Sequence, residues 1–415
     1  MTLRVVVVND YGAAVGGASN VALMQARSLA ARGHEVSFFS AVPPDPSQDL
    51  GGVRHIDVGQ MDLLRNPDRA AAAKQGIWNA LAARRLRELL DEPRSFGAVV
   101  HLHSWTKALS SSVVAAIASS SHPAVCTLHD YFAACPNGTF FNFRSGAGCP
   151  LVPMSLACVS TNCDSRRYSH KLWRVARQAV QRGPGQMPRG IRNFICVSEF
   201  ARDKIRSYLP KDATVSVIPT AIDVQRQPPL PADQRKEIVF VGRLAPEKGV
   251  ETYVKACAEL GIDPVILGDG ELASWVREQS PSAKISGWLP SAELHDRLRG
   301  ALALAFPTFA YESQALSVLE AAALGVSAIV SDHCAATSYV RPGDTGLLMK
   351  AGDHVGLARH MQSLLDNPLF AVRLGEAACA QFWAAGLANS DRCLDEIENF
   401  YRIACDKAQP RGGPH

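Results

Sequence analysis

Hydrophobic positions along this chain alternate between two rhythms. Short apolar runs at residues 3–8, 35–39, 98–102, 193–197, 238–241, 301–306 and 326–330 read as strands buried on both faces. Stretches such as 20–32, 164–182, 356–365 and 390–404, whose apolar residues recur every three or four positions, read as amphipathic helices. Strands and helices in this alternation predict parallel, doubly wound sheets, so the expected class is α/β. The rhythm breaks twice. Residues 131–163 show neither period, and the polar, proline-rich QRQPPLPADQRK separates VSVIPTAID from the strand EIVFV. The second break places a hinge near Ile218. It divides the chain into a first domain, 1–217, carrying the insert 131–163, a second domain, 218–385, and a terminal segment, 386–415.

Length and composition agree with two domains: the chain has 415 residues, 47% of them hydrophobic and 20% charged. No apolar run reaches the ~18 residues of a membrane span, and the opening MTLRVVVVND reads as a strand rather than a signal peptide. A cytoplasmic protein is therefore expected. Charge is uneven: residues 1–215 carry 25 Lys and Arg against 15 Asp and Glu, and residues 216–415 carry 18 against 24. A basic first half suits a phospholipid surface, a phosphate-bearing acceptor or an ordinary solvated face. The helix at 164–182 sharpens the choice. Tyr168, Leu172, Val175 and Ala179 lie on one side, and Arg166, Arg167, Lys171, Arg174, Arg177 and Arg182 form the rest. Such a helix either rests on anionic membrane, at the inner face of the cytoplasmic membrane, or is solvated.

Candidate chemistry gathers at strand ends. ALALAFPTFAYESQALSVLEAAALGVSAIVSD, residues 301–332, is one strand–helix–strand crossover, with Ser313 placed to cap the helix and Gly325 to close it. Glu312 and Glu320 then lie at the carboxyl edge of the sheet, beside the amides of Ala315, Leu316 and Ser317 at the helix start. Carboxylates for sugar hydroxyls beside amides for phosphate describe a nucleotide-sugar pocket. Arg243 and Lys248 bracket another such turn, framed by Gly242, Pro246 and Gly249. His103 and His129 each close a strand of the first domain. Gly268-x-Gly270-x-x-Ala273 matches a dinucleotide fingerprint, which makes an NAD-dependent oxidoreductase a rival reading, although AKISGWLP lacks the acidic residue that would hold the ribose. Cys135, Cys149, Cys158 and Cys163 cluster in the insert, either as a tetrahedral structural zinc site or as buried free thiols. Phe140, Phe141 and Phe143 line an acceptor groove or form the insert's own small core.

The sequence of acidic residue, helix start, second Glu, small-residue run, glycine and apolar strand resembles the Glu-x7-Glu signature of family 4 retaining glycosyltransferases, which have the GT-B fold. Ser313-Gln314-Ala315-Leu316 stands where that family usually has Gly-Phe-Gly-Leu. The resemblance implies that Arg243 and Lys248 grip a donor pyrophosphate and that Glu320 holds the ribose. Glu312 and His129 would position the sugar, and Gly16 and Gly17 would form a flexible loop near the phosphates. Gly268 belongs to a Gly-Asp-Gly also found in the family, and Gly287 and Trp288 fall where its backbone meets the nucleobase. A similar cysteine-bearing loop occurs in a bacterial subset of the family. The last helix is expected to return to the first domain. The implied function is transfer of a sugar from a nucleoside-diphosphate sugar to a sugar or lipid-linked acceptor, in polysaccharide or glycolipid assembly. No cofactor for catalysis and no nucleic-acid partner are implied. A non-catalytic nucleotide-sugar-binding protein is the remaining alternative.

Overall fold

The computed structural model of the chain describes residues 2–45 and 50–408. Its strands, in order, are β1 (Arg4–Tyr11), β2 (Glu35–Val42), β3 (Arg54–Asp57), β4 (Val99–Leu102), β5 (Ala124–Leu128), β6 (Phe141–Asn142), β7 (Ala147–Gly148), β8 (Asn193–Cys196) and β9 (Thr214–Val217). They continue with β10 (Glu237–Val241), β11 (Val265–Leu267), β12 (Lys284–Ile285), β13 (Ala301–Phe306), β14 (Ser327–Ser331) and β15 (Gly346–Met349). Two sheets carry the architecture, with orders β3-β2-β1-β4-β5-β8-β9 and β12-β11-β10-β13-β14-β15, and β6 and β7 form a separate antiparallel hairpin. All pairings within the two large sheets are parallel. In each sheet the strand order reverses once, between β1 and β4 and between β10 and β13.

Side-chain alternation along β1 shows why the strand is apolar throughout. Val6 and Val8 enter the core on one face with Val100 and Leu102, while Val5 and Val7 enter the other with Phe38. That second face is closed by the helix Ser390–Ala408, whose Leu394, Phe400 and Tyr401 join the same cluster. Arg32 fixes it further by ion pairs to Asp391 at 2.8 Å, Asp395 at 2.6 Å and Glu398 at 2.9 Å. This helix thus returns to the domain that holds β1.

Several boundaries differ from the sequence reading. The first helix begins at Gly17 and not at residue 20, because Gly16 takes φ +78° and turns the chain into it. A helix at Pro368–Ala384 was not anticipated; it packs so closely on the second sheet that a Cβ at Gly375 would stand 2.2 Å from the Gly325 carbonyl oxygen. The insert is ordered by the β6–β7 hairpin and the short helix Leu156–Ser160. Among the described residues no helix is long and apolar enough to cross a membrane.

Candidate functional site

The carboxyl ends of the strands at the two reversal points face each other, and such crevices are where open α/β sheets bind ligands. A cavity of about 130 Å³ lies between them. His129, Asp130 and Tyr131 contribute from the end of β5, and Arg243, Lys248 and Glu312 from the loops after β10 and β13. Four residues singled out in the sequence, His129, Arg243, Lys248 and Glu312, therefore line one space.

Their geometry follows from local backbone. Gly249 has φ +75°, and a Cβ there would stand 1.9 Å from the Pro307 carbonyl oxygen. Only glycine lets the Pro246–Lys248 turn press against the loop after β13. The two loops are joined again where the Glu247 carbonyl oxygen accepts the amides of Phe309 at 2.8 Å and Ala310 at 3.2 Å. Lys248 Nζ consequently reaches Glu312 Oε1 at 2.6 Å, and the Thr308 hydroxyl donates to the same carboxylate at 3.3 Å. Arg243 pairs with the buried Glu247 carboxylate. Tyr131, buried next to them, has a hydroxyl with no partner among the described residues, and burial together with the charge of Glu312 raises its pKa.

The glycine fingerprint at 268–270 has a different explanation from the one its spacing suggests. A Cβ at Gly268 would lie 2.0 Å from the Gly242 carbonyl oxygen, and one at Gly270 would lie 2.5 Å from that of Leu244. The space above these glycines is filled by the Gly242–Leu244 loop, which is hydrogen-bonded to them through Leu244 N and the Asp269 carbonyl at 2.9 Å. The loop that would admit a dinucleotide instead positions Arg243, and this corrects the oxidoreductase reading.

The second Glu lies on the helix Leu316–Ala323, one turn in. His295 Nε2 stands 3.8 Å from Glu320 Oε1, too far for a hydrogen bond, and the nearby carboxylate raises the His295 pKa against the opposing effect of burial. Ser313 does not cap this helix. Its hydroxyl donates to the His129 carbonyl oxygen at 2.6 Å and Ser198 donates to the Ser313 carbonyl at 2.5 Å, so Ser313 ties the two sheets together. Of the three amides expected to be free, that of Leu316 is bonded to the Gln314 carbonyl at 3.1 Å. Gly17 faces the same helix start, since a Cβ there would touch Leu316 Cδ1 at 3.8 Å, whereas a Cβ at Gly16 would meet nothing within 4 Å. Gly287 and Trp288 lie beyond β12, with Trp288 68% exposed, and neither lines the cavity.

Behind His129 runs a column that sequence reasoning saw only in part. His129 Nε2 meets His103 Nδ1 at 3.0 Å, the His103 ring packs 4.2 Å from that of His101, and His101 Nδ1 meets the Tyr401 hydroxyl at 2.7 Å. Burial lowers the pKa of His129 to about 4 and, with the charge of His129, that of His101 to about 3; His103 is lowered likewise. These imidazoles are neutral at pH 7. Asp130 is pushed the other way, to about 6, by burial.

The insert fits the free-thiol alternative. Among the described residues no group of three or more His, Cys, Asp or Glu side chains is arranged to hold a metal ion. Lys171 explains why: its side chain is buried, and Nζ lies 3.2 Å from Cys163 Sγ and 3.6 Å from Cys158 Sγ. An ammonium between the thiols repels a dication. Cys135 donates to Asn137 Oδ1 at 3.0 Å, and Cys149, half-buried, stands as a free thiol like the others. Phe140 is buried in the core of the first domain against Tyr131 and Tyr208, and Phe141 is buried beside Phe143 and Phe309. The basic helix, Tyr168–Arg182, does not keep all its cations outside. Lys171 and Arg177 point inward, whereas Tyr168 and Leu172 are exposed. The inward cations find carbonyls, thiols and aromatic rings that periodicity cannot reveal.

Two doubly wound sheets that bring cationic loops and carboxylates to a cleft opposite a histidine define a nucleotide-sugar transferase of the GT-B type. The chain belongs to glycosyltransferase family 4: residues 15–226 match the family described as Glycosyltransferase Family 4, and residues 221–381 match Glycosyl transferases group 1. It is a nucleotide-sugar-dependent enzyme of this retaining family. It is 28% identical over 393 residues to the glycogen synthase of Mycobacterium tuberculosis (strain CDC 1551 / Oshkosh), covering 88% of this chain and 86% of that protein. It is 24% identical to the D-inositol 3-phosphate glycosyltransferase of Streptomyces scabiei, covering 93% and 87%. Sucrose-phosphate synthase from Thermosynechococcus elongatus shares the fold with a TM-score of 0.72 at 19% identity, covering 98% of this chain and 100% of that one. Anabaena HepE in complex with UDP and glucose has a TM-score of 0.67 at 13% identity, covering 95% and 99%.

Proposed function

We propose that this enzyme moves a hexosyl group from a nucleoside-diphosphate sugar to an acceptor hydroxyl, with retention, in polysaccharide or glycolipid assembly. The observation that carries this reading is the meeting of His129, Arg243, Lys248 and Glu312 in one cavity between the sheets. Residues 218–385 bind the donor. Residues 1–217, with the helix Ser390–Ala408 packed on them, bind the acceptor.

Each residue has a task set by its position. Arg243, Lys248 and the amides at Ala315 and Ser317 hold the diphosphate, with the Gly16–Gly17 loop closing over it. Glu320 takes the ribose hydroxyls, and Gly287 and Trp288 flank the base. An incoming phosphate competes with Glu312 for Lys248, so donor binding opens the 2.6 Å pair and frees the Glu312 carboxylate for sugar hydroxyls. Neutral His129 and the Tyr131 hydroxyl supply further hydrogen bonds to the sugar. As the glycosidic bond breaks, negative charge grows on the departing diphosphate, where the fixed cations stabilise it most. The leaving phosphate takes the acceptor's proton, so the side chains named here supply binding and charge stabilisation, with no protein nucleophile and no metal step.

Calorimetric titration with UDP, GDP and ADP tests this. One of them should bind the wild type and bind at least tenfold more weakly to Lys248→Ala. Equal binding to both proteins would remove Lys248 from the donor site.

A further inference from the structure

The inward turn of the helix Tyr168–Arg182 leaves a second cavity, of about 450 Å³, between it, the helix Arg69–Ile77 and the carboxyl ends of β1 and β4. Its charge is one-sided. Arg69, Lys107, Arg166, Arg174 and Arg177 line it against one carboxylate, Asp62. Arg174 is neutralised by Asp164 at 2.9 Å. Asp62 is engaged by the amides of Leu64 and Arg65 at 2.8 and 3.0 Å.

Arg177 stands out among these cations. It is 6% exposed, yet among the described residues it makes no ion pair. Its terminal nitrogens donate to the carbonyls of Thr106 at 3.3 Å and Pro136 at 3.0 Å, and its guanidinium lies 4.9 Å from the Phe132 ring centroid. Its Nε is buried without a hydrogen-bond partner among the described residues. The nearest acidic groups, Asp10 and Asp130, act on it only through space, and burial lowers its pKa to about 10. A buried cation with no counter-ion is costly unless a ligand supplies one.

The same segment serves both cavities. His129, Asp130 and Tyr131 line the space that holds Lys248 and Glu312, and Phe132, the next residue, lines this one. The two spaces are thus separated by one step of the chain, between Tyr131 and Phe132.

We propose that this cavity binds the acceptor through a phosphate or diphosphate group, which completes the charge of Arg177, Lys107 and Arg166, while Trp173, Phe132 and Leu64 cover its apolar or sugar portion. The assignment of an acceptor rests on the glycosyltransferase reading; the anion site itself does not. The basic face of the helix thus lines a ligand cavity.

Calorimetry with inorganic pyrophosphate, farnesyl diphosphate and glucose 1-phosphate tests it, with the donor site first saturated by whichever nucleoside diphosphate binds. At least one of these compounds should bind, and its affinity should fall tenfold or more in Lys107→Glu and Arg166→Glu, whose side chains are accessible, and in Arg177→Met. Lys248→Ala should leave that affinity unchanged. Tighter binding of farnesyl diphosphate marks a lipid-linked acceptor, and tighter binding of glucose 1-phosphate marks a soluble sugar phosphate. Absence of binding, or binding lost in Lys248→Ala and retained in Arg166→Glu, overturns the proposal. If no nucleoside diphosphate binds while pyrophosphate still does, the transferase reading fails and the anion site stands.

Discussion

Lys248 Nζ lies 2.6 Å from Glu312 Oε1, and the two side chains are 26% and 17% exposed, so the proposed phosphate ligand is held by the proposed sugar ligand. Each must leave the other when donor binds. We predict that Lys248→Ala lowers kcat by about 10²-fold or more, the scale of losing one preorganised charge partner of a developing anion. Glu312→Gln should raise donor KM less than it lowers kcat, because its partner Lys248 remains for the phosphate. Steady-state kinetics of both variants and of the double variant decide it; fully additive effects would mean the pair does not act as a unit.

Gly249 and Gly16 share a positive φ, +75° and +78°, yet differ in surroundings. A Cβ at Gly249 meets the Pro307 backbone, whereas at Gly16 nothing lies within 4 Å. Gly16→Ala should cost about 1–2 kcal/mol, the strain of a backbone at φ +78° and ψ 174° that only glycine visits readily. Gly249→Ala should cost more than ~2 kcal/mol and displace Lys248. Urea unfolding of both variants gives the comparison, and similar losses would refute it.

The histidine column makes the first domain acid-sensitive. His101, His103 and His129 have folded-state pKa values below the ordinary 6.5, so the unfolded chain takes up their protons first. The stability they confer is fully present above about pH 6.5 and is lost as pH falls toward 4. Asp130, raised to about 6, opposes this by one proton over the lower part of the range. The net loss from these four groups is roughly 3 kcal/mol per pH unit near pH 5. Denaturation at pH 7 and pH 5, in wild type and His103→Asn, should show a shallower slope in the variant.

His295 works in the opposite sense. Its pKa is raised by Glu320, so the pair stabilises the fold below pH 6.5 and that contribution fades as pH rises through the raised value. Glu320→Gln should therefore lower Tm at pH 6 more than at pH 8.5. A difference that does not change with pH would mean that the two groups do not interact.

Tyr401→Phe removes the hydroxyl that bonds His101 Nδ1 at 2.7 Å and Gln25 Nε2 at 2.7 Å, both buried. A loss of about 1–3 kcal/mol is expected, the cost of leaving buried partners unmet. Chemical denaturation measures it. No change would imply that the hydroxyl is replaced by water.

How far the sequence disclosed all this depended on range. Strands buried on both faces, such as β1 and β13, were legible because their apolar runs need no knowledge of neighbours. Arg243, Lys248, Glu312 and His129 were legible because each sits at a strand's carboxyl end. Ser313 was misread because the cap pattern is local, while its actual partner, the His129 carbonyl, is 184 positions away. Lys171 was misread for a similar reason: a basic residue on an amphipathic helix looks solvated until the thiols that receive it are folded round it. His295 and Tyr131 had no signal, since neither lies in a motif and both owe their interest to Glu320 and Glu312.

The return of the helix Ser390–Ala408 to β1 makes the second sheet topologically an insertion within the first domain. Exchanging donor halves between enzymes of this architecture therefore requires two junctions, one in the segment after Val217 and another shortly before Ser390. A chimera cut once would carry a foreign terminal helix into the cluster around Val5 and Phe38, and its failure would report that mismatch rather than donor specificity.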